Sequence, residues 1–318
     1  DVNLPVTVDE LNNPEIKSMG SFAGFHLPGR YDKIIDINTC YLQSEPTNTL
    51  RHFVKNFAAE NNWSFYDTIK QEGFIRDMII RNTRTGEWMV ILIFGLDESE
   101  KIKSLMKAMT EKFPEITSLN YVINPKKNST IYDLDVRLFS GRKYLLEEIG
   151  NLKFKISPKS FFQTNTKQAE NLYKATLDFA SLNGSENVYD LYTGTGTIAN
   201  YIAAHCRKVI GIDSVSDAIE DAKENSRSNN ISNTDFFAGD IKETLNADFI
   251  SSHGSPDVII TDPPRAGMHP DVVKKISETG AQKIVYVSCN PATQARDIAL
   301  LAGSHSVTKI QAVDMFPH

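Results

Sequence analysis

The sequence has few cysteines and no long hydrophobic run, and each shortage excludes a class of protein. Its 318 residues include only 3 cysteines and 2 tryptophans. The wide spacing of Cys40, Cys206 and Cys289 argues against a disulfide framework and is typical of a reducing, cytoplasmic environment. No apolar stretch approaches the roughly 20 residues that a membrane helix needs, so no membrane association is expected.

Basic residues are not in excess either. The chain has 34 Lys and Arg against 40 Asp and Glu, which gives a formal net charge of -6. Non-specific nucleic-acid binders are usually basic, so any binding of RNA would need a local basic surface. An ordinary solvated surface explains the candidate basic run equally well; that run comprises Arg137, Arg142, Lys143, Lys153, Lys155 and Lys159.

Two halves of the chain differ in hydrophobic pattern, which predicts an α+β central domain over 1–156 and an α/β domain over 157–318. In the first half the pattern predicts helices at Asn48–Asn61 and Ser99–Lys112. Strands are predicted there at Asp32–Ile37, Met78–Arg81 and Trp88–Phe94, with a hairpin turn at Thr85-Gly86.

The second half alternates short strands with helices, a rhythm typical of a parallel, doubly wound sheet. Helices are predicted at Ser216–Ser228 and Pro270–Thr279. Strands are predicted at Asn187–Leu191, Lys208–Ile212, Thr234–Ala238, Asp257–Thr261, Lys283–Ser288 and Ser306–Ala312. Ligands of such sheets bind at the carboxyl ends of the strands, so functional residues are expected directly after each strand.

A glycine turn follows the first of these strands. Gly194 and Gly196 permit a tight turn and a close approach of ligand to backbone. The spacing also satisfies a dinucleotide fingerprint, and Asp213 after the second strand suits the ribose of either cofactor type. Asp190 before the turn and Asp240 after the third strand favour a methyltransferase over an NAD enzyme. A purely structural glycine turn is the third alternative.

The fourth strand leads into Asp262, two prolines and Arg265. The prolines stiffen the loop because each fixes φ and lacks a donor. Methyltransferases that modify exocyclic amines place an aromatic residue where Arg265 stands, so methylation of an amine is disfavoured. Asp262 is interpreted as a carboxylate that positions the cofactor or the target base, and an ordinary loop is the alternative.

Cys289 follows the fifth strand, at the same edge of the sheet. Most lone cysteines are inert small hydrophobic residues, but a thiol at the mouth of a cofactor crevice indicates a nucleophile. C5 of uracil is too weak a nucleophile to accept a methyl group directly from a sulfonium. Addition of a thiolate to C6 creates an enolate whose C5 can react, and a base must then remove the C5 proton.

The motifs together resemble the RNA 5-methyluridine methyltransferases. The resemblance covers most of the chain and is carried by Gly24-Phe-His26, Cys40-Tyr-Leu-Gln43, Ser160-Phe-Phe-Gln-Thr-Asn165, Asp262-Pro-Pro-Arg-Ala-Gly267, Ser288-Cys-Asn-Pro291 and Asp314-Met-Phe-Pro-His318. It implies a Rossmann-like domain that uses S-adenosylmethionine to methylate C5 of a uridine in RNA.

The same resemblance implies roles for individual residues. Cys289 would be the nucleophile. The implied cofactor contacts are Gln163, Tyr192, Gly194, Gly196, Thr197, Asp213 and Asp262, whereas Asp240 is included on general methyltransferase logic. Thr197 departs from the asparagine that is common in the family.

Other family features are expected to lie outside this sequence. They are a glutamate that removes the C5 proton shortly after His318, an N-terminal RNA-binding barrel, and three of the four cysteines of a [4Fe-4S] cluster. Cys40 matches the fourth cluster ligand, but a buried structural thiol is the alternative. Through Cys40 the resemblance favours 23S ribosomal RNA as substrate over uridine 54 of transfer RNA, and a monomeric enzyme is expected. A nicotinamide-dependent oxidoreductase and a non-catalytic RNA-binding module are the competing functions.

Overall fold

A computed structural model of the chain describes residues 2–3, 20–21 and 23–317. Within these residues the chain divides into two compact units. Unit 1 takes in residues 1–82 and 86–145, and unit 2 takes in residues 83–85 and 146–318. No helix of the described residues is long and apolar enough to cross a membrane.

Unit 1 is built on a four-stranded mixed sheet in the order β5-β6-β7-β8. Its elements are β1 Val2–Asn3, β2 Gly20–Ser21, β3 Gly24–Leu27, β4 Arg30–Asp36, α1 Thr47–Glu60, β5 Ile75–Asn82, β6 Trp88–Phe94, α2 Ser99–Lys112, β7 Ser118–Ile123 and β8 Arg137–Gly141. Every residue of β6 is buried, and α1 and α2 pack on the sheet through Leu50, Val54, Leu105 and Met109. The predicted hairpin is confirmed, since β5 and β6 pair antiparallel around Gly86, whose φ is 81°.

Unit 2 contains a five-stranded, all-parallel sheet in the order β13-β12-β11-β14-β15. Its strands are β9 Leu145–Ile149, β10 Leu152–Ile156, β11 Asn187–Leu191, β12 Lys208–Asp213, β13 Thr234–Ala238, β14 Val258–Thr261 and β15 Lys283–Tyr286. Its helices are α3 Thr166–Ala180, α4 Thr197–Ile202, α5 Ser216–Ser228, α6 Ile241–Thr244, α7 Ala247–His253, α8 Pro270–Glu278 and α9 Pro291–Leu301.

Alternate residues of the parallel strands enter two separate cores. Val188 and Val209 pack with α3, α4 and α5 on one face, whereas Tyr189 and Ile210 pack with α6, α8 and α9 on the other. Successive side chains of a strand point to opposite faces, so burial of both faces requires the nearly continuous apolar runs of these strands. The sheet order places β11 in the centre, with β12 and β14 beside it.

Two sequence expectations differ from the structure. The predicted strand at Ser306–Ala312 is wrong: within the described residues this segment is exposed coil, and β15 forms the edge of the sheet. The predicted boundary at 156/157 lies after β9 and β10, which the structure groups with unit 2. The N–H group of Lys153 in β10 donates to Oδ1 of Asn229, which directly follows α5, at 2.8 Å. The N–H group of Lys155 donates to Oδ1 of Asn225 in α5 at 2.7 Å.

Candidate active site

The glycine turn joins β11 to α4 through left-handed backbone conformations. The φ angles are 61° at Tyr192, 55° at Gly194 and 72° at Gly196. A Cβ at Gly196 would lie 2.9 Å from Ala222 Cβ, so this glycine is required for packing against α5. A Cβ at Gly194 would meet nothing within 4 Å. Gly194 therefore borders open space, where a ligand can approach the backbone.

Asp190 is the last acid before this turn, and it is almost completely buried. Its Oδ2 accepts a hydrogen bond from Thr193 Oγ1 at 2.6 Å, but Oδ1 is buried with no hydrogen-bond partner among the described residues. Burial raises the pKa of the carboxyl group to about 7. A buried polar atom without a partner is costly, so this oxygen is suited to a cationic or hydrogen-bonding ligand.

The carboxylates of Asp213 and Asp240 both accept hydrogen bonds from backbone N–H groups. Asp213 Oδ2 accepts from the N–H of Gly194 at 2.9 Å, and its Oδ1 accepts from the N–H of Val215 at 2.9 Å. Asp240 caps the short helix α6 by accepting from the N–H of Lys242 at 2.8 Å, and its side chain is exposed. Asp213 thus fixes the glycine turn as well as standing at the carboxyl end of β12.

Gln163, Tyr192 and Thr197 are each half-buried. Burial raises the pKa of Tyr192 to about 12. The Thr197 hydroxyl lies 3.1 Å from the hydroxyl of Tyr173, which is buried in α3. The segment that carries Gln163 is anchored by Ser160, whose hydroxyl donates to Asp221 of α5 at 2.5 Å.

Asp262 stands at the carboxyl end of β14, directly beside the end of β11. Its N–H donates to the carbonyl of Leu191 at 3.3 Å. Burial raises the pKa of the Asp262 carboxyl group to about 6, and no described residue donates a hydrogen bond to its side chain. Pro263 is buried, whereas Pro264 and Arg265 are exposed. The loop therefore presents one partly desolvated acid and one free guanidinium group.

Cys289 is exposed, in contrast to the buried thiols of Cys40 and Cys206. The N–H of Val287 donates to the carbonyl of Thr261 at 2.9 Å, which continues the pairing of β15 with β14 towards the cysteine. Asn290, the next residue, caps α9 by accepting from Ala292 N–H at 3.1 Å. Cys289 and Asp262 thus leave the ends of two neighbouring strands at the same edge of the sheet.

Three residues that organise this edge were not predicted from the sequence: Tyr286, Arg296 and Asp297. The Asp297 carboxylate is completely buried and accepts hydrogen bonds from the other two side chains. The available signal was weak, namely an acid on the face of α9 that also buries Leu301.

Cys40 lies in unit 1, and its backbone N–H and carbonyl both bond to the side chain of Asn48, at 2.8 and 3.3 Å. Among the described residues no group of three or more His, Cys, Asp or Glu side chains could hold a metal ion.

Four of the six residues of the candidate basic run pair with nearby carboxylates. In unit 1, Arg137 pairs with Asp135 at 3.1 Å, and Arg142 pairs with Glu87. In unit 2, Lys155 Nζ lies 3.8 Å from the Asp221 carboxylate. These pairs favour the interpretation of the run as an ordinary surface.

The fold and this site define a class. An open parallel sheet with a glycine turn after its central strand, and acids at the ends of β11, β12 and β14, is the arrangement of a Rossmann-like methyltransferase. The unpartnered oxygen of Asp190 and the open space at Gly194 fit a cofactor that carries positive charge and ribose hydroxyls.

Comparisons with known proteins narrow the class to a family. The sequence profile of the tRNA (uracil-5-)-methyltransferases matches residues 82–318. An uncharacterized RNA methyltransferase from Bacteroides thetaiotaomicron is 52% identical over 98% of this chain and 70% of its own length. Another from Porphyromonas gingivalis is 50% identical over 99% of this chain and 69% of its own length.

Among solved structures, the tRNA (uracil-54, C5)-methyltransferase of Pyrococcus abyssi in complex with S-adenosyl-L-homocysteine superposes with a TM-score of 0.74. The two sequences are 31% identical, and the match covers 90% of this chain and 68% of the Pyrococcus abyssi chain. The chain belongs to the tRNA (uracil-5-)-methyltransferase family. This confirms the predicted fold and class, an S-adenosylmethionine-dependent RNA methyltransferase, and leaves the nicotinamide-dependent oxidoreductase without support.

Proposed function

We propose that this protein methylates C5 of a uridine in RNA through a covalent bond between Cys289 Sγ and C6 of the uracil. The observation that supports this most is the exposure of Cys289 at the edge of the sheet that also carries Asp262 and the glycine turn. The other two cysteines are buried, and burial raises the pKa of Cys206 to about 11.

The chemistry assigns this thiol a specific step. Addition of the Cys289 thiolate to C6 breaks the C5–C6 double bond and places the electron pair on the enolate, so that C5 becomes nucleophilic. S-adenosylmethionine, when bound, supplies the electrophilic methyl group that C5 takes. A base then removes the C5 proton, the double bond re-forms and the sulfur leaves.

Cofactor-binding roles are proposed for residues at the ends of three strands. Asp190 and Asp262 would offer carboxylates to the cationic part of the cofactor, and Asp213 would offer its remaining acceptor capacity to the ribose. Gln163, Tyr192, Gly194, Gly196 and Thr197 would line the same site. Asp240 is a weaker candidate because its carboxylate already caps α6.

The target RNA is a separate proposal. We propose a uridine of 23S ribosomal RNA, the target that the match of Cys40 to a cluster ligand favours, with a monomeric enzyme whose unit 1 faces the RNA. The alternative target is uridine 54 of transfer RNA, and the similarity to the Pyrococcus abyssi enzyme favours it. A [4Fe-4S] cluster would require three further ligands in addition to Cys40.

The experiment uses RNA that contains 5-fluorouridine, because fluorine at C5 cannot be removed as a proton and the adduct persists. The chain is incubated with S-adenosylmethionine and either 23S ribosomal RNA fragments or transfer RNA transcripts. The expected result is a denaturation-resistant complex, with the cross-linked peptide containing Cys289. Mass spectrometry of the trapped RNA identifies the uridine.

Cys289→Ala should abolish the complex while binding of S-adenosylmethionine persists, and Cys206→Ala serves as the control that retains the complex. A complex that forms with Cys289→Ala would show that the nucleophile is another residue. Trapping of transfer RNA alone would overturn the ribosomal assignment but not the chemistry.

A further inference from the structure

Asp297 is a fully buried carboxylate in the second turn of α9. Its Oδ2 accepts from the N–H of Met268 at 2.7 Å and from the hydroxyl of Tyr286 at 2.7 Å. Its Oδ1 accepts from Arg296 Nε at 2.8 Å. Burial of an acid is tolerated when hydrogen bonds and a counter-charge satisfy its oxygens, as they do at this position.

One partner of Asp297, Met268, lies at the end of the loop that begins at Asp262. Arg296 extends the contact, since its terminal nitrogen donates to the carbonyls of Ala266 at 3.0 Å and Met268 at 3.2 Å. At Gly267 between them, an added Cβ would lie 2.6 Å from that nitrogen and 2.7 Å from Asp297 Oδ2. The loop backbone therefore lies directly against the Arg296–Asp297 pair.

A second attachment joins the same loop to the residue beside the thiol. The carbonyl of Arg265 accepts from Asn290 Nδ2 at 3.0 Å and from Thr293 Oγ1 at 3.3 Å. Asn290 directly follows Cys289 in the chain. The loop that carries Asp262 and Arg265 is thus bonded through Arg265, Ala266 and Met268 to helix α9 and its N-cap.

Neither of the two prolines in the loop has an N–H group that could donate a further hydrogen bond. We infer that Asp297 is a positioning residue, which holds the Asp262–Met268 loop in a fixed place relative to Cys289. This inference rests on the proposed function. Because the Asp297 side chain is completely buried, its effect on the reaction passes through the loop.

The test is Asp297→Asn in the whole chain, with the loop and the reaction measured separately. An amide cannot accept from all three donors, and its own N–H₂ group faces them. Hydrogen exchange of the peptide that contains residues 262–268 should become faster. The rate of adduct formation and kcat should each fall by at least about tenfold, since displacement by 1 Å can cost about a hundredfold. The dissociation constant for S-adenosylmethionine should rise by a smaller factor than the adduct rate falls, because Asp262 is the only proposed cofactor residue that the loop carries.

Two further variants keep the test decisive if Asp297→Asn folds poorly. Tyr286→Phe removes one of the three donors and should give a smaller loss of the same kind. Asp257→Asn is the matched control: its carboxylate accepts from Asn187 N–H at 2.8 Å, at the amino end of β14, the opposite edge of the sheet. This control should leave adduct rate, kcat and exchange of the loop as in wild type.

Three outcomes would overturn the inference: an adduct rate within twofold of wild type in Asp297→Asn, unchanged exchange of residues 262–268, or a loss that equals the unfolded fraction. Failure of the proposed function is distinguishable, because the wild-type chain would then form no adduct while the exchange measurement still reports on the attachment of the loop.

Discussion

Two buried aspartates of unit 2 have opposite surroundings. Asp190, before the glycine turn, is 1% exposed and leaves one oxygen without a partner, and burial raises its pKa to about 7. Asp297, on α9, is 0% exposed and accepts hydrogen bonds from three residues. The two aspartates are therefore equally buried, but Asp190 beside the glycine turn lacks a hydrogen bond at one oxygen. Asp297, near the thiol, has hydrogen bonds at both oxygens.

This difference indicates that Asp190 is suited to bind a ligand, whereas Asp297 has a structural role. A buried acid without a partner lowers stability and persists where a ligand completes its bonds. A buried acid with every bond made stabilises the backbone that it holds. Substitutions at the two positions can therefore distinguish the two roles.

The first prediction is that the same substitution has opposite effects on stability at the two sites. Asp297→Asn should lower the free energy of unfolding by about 2 to 4 kcal/mol, because it leaves buried donors unpaired. Asp190→Asn should leave it unchanged or raise it at pH 7. Urea unfolding of both variants measures the difference.

The stability of the wild-type chain should depend on pH through Asp190. Its pKa is raised from 3.8 to about 7 in the folded chain, so the folded state holds this proton more tightly than the unfolded state. Its contribution to stability is therefore present below about pH 4 and is lost as the pH rises to about 7. Wild type should show this loss and Asp190→Asn should not; equal losses in both would contradict the contrast.

The second prediction compares the two glycines of the turn. Gly196→Ala should lower the free energy of unfolding by about 2 to 3 kcal/mol, since a Cβ there meets Ala222 and the φ is 72°. Gly194→Ala should cost only about 1 kcal/mol, the strain of its left-handed backbone. Thermal unfolding of both variants measures this, and equal losses would show that Gly194 is also packed.

The third prediction concerns charge at the cofactor site. The raised pKa values of Asp190, about 7, and Asp262, about 6, leave both carboxyl groups mostly protonated at pH 5 and largely ionised at pH 8. S-adenosylmethionine carries a sulfonium charge that S-adenosyl-L-homocysteine lacks. The ratio of its affinity to that of S-adenosyl-L-homocysteine should therefore rise by roughly threefold to tenfold between pH 5 and pH 8. Calorimetric titration of both ligands measures the ratio; a ratio that is constant with pH would place the acids away from the sulfonium.

The smallest change in the free energy of unfolding is expected for Tyr173, which packs beside the glycine turn. Tyr173→Phe removes the hydroxyl that lies 3.1 Å from Thr197 Oγ1. The loss of one neutral hydrogen bond should lower the free energy of unfolding by about 1 kcal/mol. Cofactor affinity should change less than in Asp190→Asn, and a larger change would indicate that Thr197 depends on Tyr173 for ligand contact.

Local sequence patterns were sufficient for much of the fold. The predicted bounds of Trp88–Phe94, Ser99–Lys112, Thr234–Ala238 and Ser216–Ser228 match the structure, because each combines a clear hydrophobic period with a local break. The segment Ser306–Ala312 has β-forming residues but stays as coil among the described residues. A strand forms only where a neighbour accepts and donates its hydrogen bonds, and no local pattern reveals that neighbour.

For the site, strand order alone predicted which residue types follow the strands: the glycine turn, Asp190, Asp213, Asp262 and Cys289. Parallel strands end at one edge, so these positions follow from order along the chain. Their surroundings depend on the packing of distant segments. This packing left one oxygen of Asp190 without a partner and gave Asp297 three donors, because burial and hydrogen bonding depend on residues distant in sequence.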